Sequence, residues 1–227
     1  MERENSRTVI FDLDGTLLDT LQDLANALNY ALALFQAPAC PLENVRRFVG
    51  NGIDKLVERA LAEGREHPHY AEIVSETRAY YSAHCTEHTA PYPGITELLS
   101  ALAVQGFQLA VVSNKPDKQV KYLCDLHFGG LMCEAVGNRP DCRLKPAPDA
   151  LWDLMKALRT DAPHTVYVGD SDVDVLTARN AGIPCISVLW GFRGKAELTA
   201  AGAVCFAENT QELEAILTNM PRETAAT

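Results

Sequence analysis

The most informative segment of this chain is Thr8-Val9-Ile10-Phe11-Asp12-Leu13-Asp14-Gly15-Thr16. Its first four residues are β-branched or aromatic, a composition typical of a buried strand. Two aspartates two positions apart and a glycine follow, so the strand should end in a tight acidic loop. We therefore predict a strand over residues 8–11 whose carboxyl end presents Asp12 and Asp14. An Asp-x-Asp-Gly turn by itself is most often only a turn, so its meaning depends on the rest of the chain.

The pattern after this loop has a helical period. Two prolines should end the first helix, further apolar helical stretches follow at 53–61 and 70–84, and a proline-rich step at 91–94 indicates a return between domains. We predict a helical domain over residues 18–89, inserted into a core formed by residues 1–17 and 90–227. The apolar positions of the first helix are Leu21, Leu24, Leu28, Leu32 and Phe35.

Strands and helices alternate from residue 90 onward. Apolar runs at 109–112, 132–136, 165–168 and 185–188 are separated by stretches of helical period. Continuous apolar runs are typical of parallel strands that helices cover on both faces. The alternation therefore predicts an α/β fold with an open, doubly wound parallel sheet and right-handed crossovers. We expect the tail after Met220 to be frayed.

Composition limits the class of protein. The chain has 227 residues, with 20 Lys+Arg against 30 Asp+Glu and a net charge of −10. Its basic residues are scattered, which disfavours a nucleic-acid partner. A polar N-terminus and the lack of any apolar run of about 18 residues predict neither a signal peptide nor a membrane partner. Seven widely spaced cysteines without a C-x-x-C pair indicate reduced thiols and a cytoplasmic location. The oligomeric state, monomer or homodimer, stays open.

Polar residues follow the predicted strands where each strand ends. Ligands of open α/β sheets bind beyond the carboxyl ends of the strands, so these side chains should converge. Carboxylates brought together there would repel one another unless a cation lay between them, and an all-oxygen ligand set suits Mg²⁺. A calcium-binding EF-hand is disfavoured because the glycine falls at the wrong position of the loop. The converging residues are Asp12, Asp14, Ser113, Lys145, Asp170 and Asp174.

These residue types suit phosphoryl transfer. Lys145 can offset developing negative charge, while Ser113 and neighbouring backbone N–H groups can donate to phosphate oxygens. Asp12 can attack phosphorus and form an aspartyl phosphate that water later opens. Asp14 can protonate the leaving oxygen and then deprotonate the attacking water. The predicted substrate is a small phosphorylated metabolite.

Four segments in order, FDLDGTLLDT (11–20), VVSNK (111–115), LKPAPD (144–149) and VGDSDVD (168–174), resemble the four motifs of the haloacid dehalogenase superfamily of phosphohydrolases. The resemblance covers essentially the whole chain and implies that the helical domain is a cap that excludes water and selects the substrate. It implies these roles: Asp12 as nucleophile, Asp14 as general acid/base, Ser113, Asn114 and Lys145 as phosphate ligands, Lys145 also as the charge-neutralising lysine, Asp12, Asp170 and the Asp14 backbone carbonyl as Mg²⁺ ligands, and Asp174 as a support for Lys145 and metal-bound water.

Two further segments, VRRFVGNGIDKLVERAL (45–61) and SVLWGFRG (187–194), are similar to the phosphoglycolate phosphatase branch of this family. That similarity implies 2-phosphoglycolate as the substrate. Gly50-Asn51-Gly52 either lets backbone approach a small anion or is only a turn. Arg46, Arg47 and Arg193 could each hold a substrate carboxylate bidentately, although each is more often a solvated surface arginine.

Other functions remain in competition. A sugar phosphomutase resembling β-phosphoglucomutase, a pyrophosphatase or a broad small-metabolite phosphatase would use the same motifs. A dehalogenase is disfavoured because Asp14 would have no task, and a phosphonate hydrolase would need a lysine of the cap, where Lys55 stands alone. A phosphometabolite-binding regulatory protein is disfavoured because every catalytic position is filled. The run from His84 to His88 matches the H-x-x-E-H pattern of some zinc peptidases, but no third ligand is marked.

Overall fold

Helices and strands alternate along residues 7–219, the part of the chain that this computed structural model describes. The expected frayed tail after Met220 lies outside the described residues. The strands are β1 (Thr8–Phe11), β2 (Leu18–Asp19), β3 (Ala90–Pro91), β4 (Gln108–Pro116), β5 (Glu134–Asn138), β6 (Thr165–Gly169), β7 (Cys185–Val188) and β8 (Phe206–Ala207). The α-helices are α1 (Leu21–Leu34), α2 (Leu42–Phe48), α3 (Ile53–Ala60), α4 (Tyr70–His84), α5 (Ile95–Val104), α6 (Asp117–Phe128), α7 (Asp149–Leu158), α8 (Asp172–Ala181), α9 (Lys195–Ala201) and α10 (Thr210–Thr218).

Six strands form one parallel sheet in the order β5-β4-β1-β6-β7-β8. β1 lies between β4 and β6, and Ile10 is in register with Ala110 on one side and Tyr167 on the other. The predicted doubly wound parallel sheet is confirmed. Its central strand is the one that leads into the acidic loop, so Asp12 lies at the middle of the carboxyl edge.

Helices cover both faces of this sheet. Val9 and Phe11 of β1 belong to the larger apolar cluster, while Ile10 points into a smaller cluster with residues of α7 such as Leu151 and Leu154. All of these side chains are buried. Burial on two faces explains why the strand sequences are continuously apolar and do not alternate.

Four helices, α1 to α4, lie between β2 and β3, and we call residues 20–89 the helical insert. β2 and β3 pair antiparallel, with Leu18 opposite Pro91 and Asp19 opposite Ala90. α1 packs against α4, and the apolar side chains of this pair join the larger cluster of the sheet. The insert therefore leaves and re-enters the sheet domain at two adjacent points.

The sequence patterns missed some elements. α2 begins directly after Pro41, a residue that we expected only to end the preceding helix. β8 has two residues, too few to show a period. β4 continues to Pro116, so Ser113 to Lys115 lie within the strand and not beyond it, and its register with β5 shifts after Val112.

Candidate active site

The carboxyl edge of the sheet holds a cluster of buried carboxylates. Asp12 follows β1, Asp170 follows β6, and Asp174 lies in the first turn of α8. Each offers a carboxylate oxygen, and these three oxygens lie within 4.8 Å of one another. The structure thus brings together three of the aspartates that the strand-end pattern singled out.

Lys145 lies at the centre of this cluster, although its loop between β5 and α7 is remote in sequence. Its Nζ is 2.8 Å from Asp12 Oδ1, 2.8 Å from Asp174 Oδ1 and 2.9 Å from the hydroxyl of Tyr167. Burial favours the neutral lysine, but the charges of Asp12 and Asp174 outweigh this effect and raise the pKa of Lys145 well above its ordinary value. Lys145 is therefore charged, and all three of its donors are engaged.

Asp174 is held on both of its oxygens. Oδ1 accepts from Lys145 and from the hydroxyl of Tyr167, while Oδ2 accepts from the backbone N–H and the hydroxyl of Ser171 at 3.0 and 2.6 Å. The contacts to Ser171 form a capping box at the start of α8. Asp174 is thereby fixed in an orientation in which it positions Lys145.

Asp170 is oriented by the segments on either side of it. Oδ1 accepts from the hydroxyl of Thr16 at 3.0 Å, and Oδ2 accepts from Phe192 N–H at 2.7 Å. A Cβ atom on Gly15, whose φ is +89°, or on Gly191 would come within 2.4 or 2.3 Å of the Asp170 side chain. Burial, reinforced by the charge of Asp174, raises the pKa of Asp170 to about 7. Because a Cβ atom on Gly15 or Gly191 would clash with the Asp170 side chain, both glycines are required for Asp170 to occupy this position.

The cluster carries an excess of negative charge. Burial and the charge of Asp174 raise the pKa of Asp12 well above its ordinary range, against the opposing effect of Lys145. Three carboxylates face a single ammonium here, so a bound cation would favour the ionised form of all three. The donors are all oxygen atoms, which fit a hard cation such as Mg²⁺.

Asp14 has different partners from the other aspartates. Its Oδ1 accepts from Lys115 Nζ at 2.7 Å and from the hydroxyl of Thr20 at 2.7 Å. Lys115 Nζ also donates to the hydroxyl of Tyr81, a buried residue of α4, at 2.7 Å. Oδ1 of Asp14 is thus held by Lys115 and Thr20, and the carboxylate cluster is formed without Asp14.

Lys115 is a site residue that the sequence analysis quoted within a motif but did not assign. Its side chain is 3% exposed. Burial disfavours its charge, but Asp14 and Tyr81 outweigh burial and raise the pKa of Lys115 above its ordinary value. The sequence contained a signal for this residue, since a lysine at the end of a buried strand places an ammonium group in the interior. A buried ammonium requires a partner, so Lys115 was a candidate site residue.

Ser113 and Asn114 behave differently from each other. Ser113 Oγ accepts from Lys115 N–H at 3.2 Å, and no acceptor among the described residues takes its own hydroxyl proton. Asn114 uses its side-chain amide to donate to the carbonyls of Gly50 and Lys145, and its Oδ1 accepts from Lys145 N–H. The Asn114 side chain therefore braces the Lys145 loop, so the predicted phosphate contact would fall to its backbone.

Arg46 and Arg193 bind backbone carbonyls of the protein, a role that neither the carboxylate-binding nor the solvated alternative predicted. Arg193 is buried and donates to the carbonyls of Arg46, Arg47 and Val49 at 2.7, 3.2 and 2.7 Å. Arg46 donates in return to the carbonyls of Gly191 and Phe192 at 2.7 and 3.2 Å. We call these five hydrogen bonds the arginine clasp, which ties α2 of the helical insert to the loop after β7. The Arg47 side chain is exposed and lacks a hydrogen bond to the described residues.

A cavity lies between the carboxylate cluster and the helical insert. Gly50 and Gly52 contribute to its wall. Lys55 does not, because it pairs with Glu58 on the surface of the insert. The residues that line the cavity are Asp12, Asp14, Leu24, Val49, Gly50, Gly52, Ile53, Leu56, Tyr81, Ser113, Asn114, Lys115, Pro116, Asp170, Ser171 and Phe192.

The H-x-x-E-H segment does not form a metal centre. His84 pairs with Glu87, whereas His88 pairs with Asp23. Within residues 7–219, the aspartate cluster is the one group of acids, histidines or cysteines arranged to hold a metal ion.

The molecule has a doubly wound α/β domain with a cluster of carboxylates and a lysine at its central strand, and a helical insert covers this site. This combination is typical of a class of hydrolases. Residues 9–188 match the family model described as haloacid dehalogenase-like hydrolase. The chain belongs to this family.

Several relatives are similar over most of the chain. A phosphoglycolate phosphatase of Pseudomonas syringae pv. tomato is 38% identical over 193 residues, which cover 82% of this chain and 70% of the relative. Phosphoglycolate phosphatase 1 of Pseudomonas aeruginosa is 34% identical over 214 residues, covering 91% and 78%. The crystal structure of a candidate phosphoglycolate phosphatase from Lactobacillus delbrueckii subsp. bulgaricus has a TM-score of 0.89 and 34% identity, covering 94% of this chain and 99% of the other. Among residues 7–219, length and hydropathy identify no candidate for a membrane-spanning helix.

Proposed function

We propose that this protein is a Mg²⁺-dependent phosphomonoester hydrolase that acts on 2-phosphoglycolate through an aspartyl phosphate on Asp12. The observation that carries the proposal is the position of Asp12 at the central strand end, 2.8 Å from Lys145 Nζ and beside Asp170 and Asp174. The substrate is supported by the names of the relatives from Pseudomonas. The free cysteines are consistent with the cytoplasm as its location.

The residues around Asp12 fit a divalent metal ion. The carboxylates of Asp12 and Asp170 and the backbone carbonyl of Asp14 would hold it, and Asp174 would support the arrangement from behind. When bound, Mg²⁺ supplies positive charge that offsets the carboxylates and polarises a phosphoryl oxygen of the substrate.

The chain's own groups account for the remaining chemistry. A carboxylate oxygen of Asp12 forms a bond to phosphorus as the bond from phosphorus to the ester oxygen breaks. Asp14 gives its proton to the departing oxygen, which leaves as the alcohol of glycolate. Asp14 then takes a proton from water as that water attacks phosphorus, which releases phosphate and restores Asp12. Ser113 O–H and backbone N–H groups donate to the phosphoryl oxygens, and Lys145 offsets the charge on Asp12 throughout.

The helical insert forms one side of the cavity and supports the division of the chain into a core (1–17 and 90–227) and a cap (18–89). We propose that the cap acts as a lid that excludes water while the aspartyl phosphate exists. The hydrocarbon side chains that the insert places in the cavity, such as Leu24 and Leu56, suit such a role.

Phosphate release by the purified protein with Mg²⁺ tests this function. The panel holds 2-phosphoglycolate, a hexose phosphate, a nucleoside monophosphate and pyrophosphate, and we expect the highest kcat/KM with 2-phosphoglycolate. Asp12→Asn should lower kcat by at least about 10³-fold with an unchanged circular dichroism spectrum, and excess EDTA should abolish turnover. Asp172→Asn is the matched control, because Asp172 belongs to the same acidic run but lies outside the cluster.

Other outcomes would redirect the proposal. Turnover by Asp12→Asn within severalfold of wild type would identify another nucleophile, and full activity in EDTA would remove the metal. Isomerisation of a hexose phosphate without net phosphate release would favour a phosphomutase.

A further inference from the structure

The cavity wall contains one cation whose task the proposed reaction does not explain. Lys115 Nζ donates to Asp14 and to the hydroxyl of Tyr81, and the same nitrogen lies over the Tyr81 ring, 4.5 Å from its centroid. No third hydrogen-bond acceptor for Nζ is present among the described residues. A buried ammonium carries three donors, so one donor remains for a ligand.

The rest of the lining lacks positive charge. The helical insert contributes hydrocarbon from Leu24, Val49, Ile53 and Leu56. Arg46 and Arg193 do not line the cavity: both donate in the arginine clasp, and Arg193 also pairs with Asp172. The Nζ of Lys145 is engaged by Asp12, Asp174 and Tyr167. Of the described residues that line the cavity, Lys115 alone is cationic. Among the side chains of this lining, only Lys115 can therefore supply a counter-charge to a second anionic group of the substrate, one that does not lie at the metal site.

Lys115 is also placed where the leaving group must pass. A general acid needs its oxygen within about 3 Å of the leaving oxygen. Lys115 Nζ lies 2.7 Å from Asp14 Oδ1, so it adjoins the carboxyl group that would protonate the ester oxygen. In a 2-phosphoester of a hydroxy acid, a single carbon separates the ester oxygen from the carboxylate. The carboxylate would thus come within reach of Lys115.

We propose that Lys115, oriented by Tyr81 of the insert, binds the carboxylate of the leaving group and so determines the preference for a carboxylate-bearing phosphoester. The inference rests on the proposed phosphatase function and adds the residue that recognises the substrate. Tyr81 links this recognition to the insert, because it belongs to α4 and its hydroxyl accepts a hydrogen bond from Lys115.

The test compares two substrates of equal length, 2-phosphoglycolate and 2-hydroxyethyl phosphate, which differ in the presence of the carboxylate. Lys115→Met should lower the ratio of their kcat/KM values by about 10- to 100-fold, the range expected for a hydrogen bond to a charged group. Loss of the Asp14 contact lowers kcat/KM for both substrates, so the ratio removes that shared effect. Tyr81→Phe keeps the aromatic ring of residue 81 and the charge of Lys115, so it should lower the ratio of the two kcat/KM values only severalfold.

The outcomes separate this proposal from the function on which it rests. If Lys115→Met lowers both kcat/KM values equally, Lys115 only positions Asp14 and the recognition proposal is wrong. If the wild type hydrolyses both esters equally well, the phosphatase stands and carboxylate recognition falls. If the wild type hydrolyses neither ester, the proposed function itself fails. Lys115→Gln, which keeps a neutral donor, gives the same comparison if the methionine variant does not fold.

Discussion

Replacing Arg193 with methionine should loosen the helical insert from the sheet domain. Arg193 is 7% exposed and donates three hydrogen bonds to carbonyls at the end of α2. A net contribution of about 1 kcal/mol for each bond gives a loss of about 3 kcal/mol. For a protein of this size, this corresponds to a fall in Tm of about 9 °C. The methionine keeps much of the apolar stem, so the loss reports mainly on the guanidinium group.

The measurement is thermal and urea unfolding followed by circular dichroism at equal protein and salt concentration. Arg47→Met is the matched control, because Arg47 lies next to Arg46 in α2 but its side chain lacks a hydrogen bond to the described residues. We expect this control to stay within about 0.5 kcal/mol of wild type. Arg46→Met, which removes the two reciprocal bonds, should fall between the two.

Equal stability of Arg193→Met and Arg47→Met would refute the reasoning. Removal of the Arg193 guanidinium group leaves three carbonyls without their donors, and this loss must lower the free energy of unfolding if the arginine clasp exists. A loss of kcat/KM without a loss of stability would also count against it, since that pattern would place Arg193 in contact with the substrate.

Three further perturbations have outcomes fixed by single contacts. Asp23 accepts hydrogen bonds from four donors, the backbone N–H groups and the side chains of His88 and Thr89. These bonds outweigh burial and lower the pKa of Asp23. The stabilisation that Asp23 provides is therefore present above the ordinary aspartate pKa and is lost as the pH falls through the lowered value. Asp23→Asn weakens hydrogen bonds to a charged group, so it should cost about 2 kcal/mol at pH 7. The gap in Tm to wild type should close at acid pH, and a gap independent of pH would contradict this. Gly191→Ala places a Cβ atom 2.3 Å from that of Asp170, so unfolding should show a loss of about 2 kcal/mol or more, and unchanged stability would mean that the loop after β7 can yield. Mg²⁺ should raise the Tm of the wild type in a concentration-dependent way, and Asp170→Ala should abolish that rise, whereas an equal rise in both would place the metal elsewhere.

The central strand and its carboxylates could be predicted because local pattern and tertiary environment agree there. The run from Thr8 to Phe11 is buried on both faces, so its apolar composition reports its position directly. The convergence of Asp12, Asp170 and Lys145 then follows from the topology of a parallel sheet, in which strand ends share an edge.

The contacts that complete the site could not be predicted in this way. Lys115 meets Asp14 and Tyr81 across 101 and 34 positions of sequence, and no periodicity specifies such a meeting. The arginines show the same limit. Their residue type suggested a carboxylate ligand, but their partners are backbone carbonyls, and every residue carries one. Which carbonyl an arginine finds depends on the packing of α2 against the loop after β7.

The paired strands β2 and β3 have an evolutionary consequence. The chain leaves the sheet domain on β2 and returns on β3, and these two strands pair with each other. The two ends of the insert are therefore separated by only the spacing of one antiparallel pair, about 5 Å. An insert of another length or architecture can be exchanged at this junction while the ancestral chemistry persists in the sheet. Selection on substrate range can then act on the insert separately from selection on turnover. Lys115 differs from the other residues proposed to set substrate range, because it belongs to β4 and not to the insert. It would be inherited with the catalytic residues whichever insert covered them.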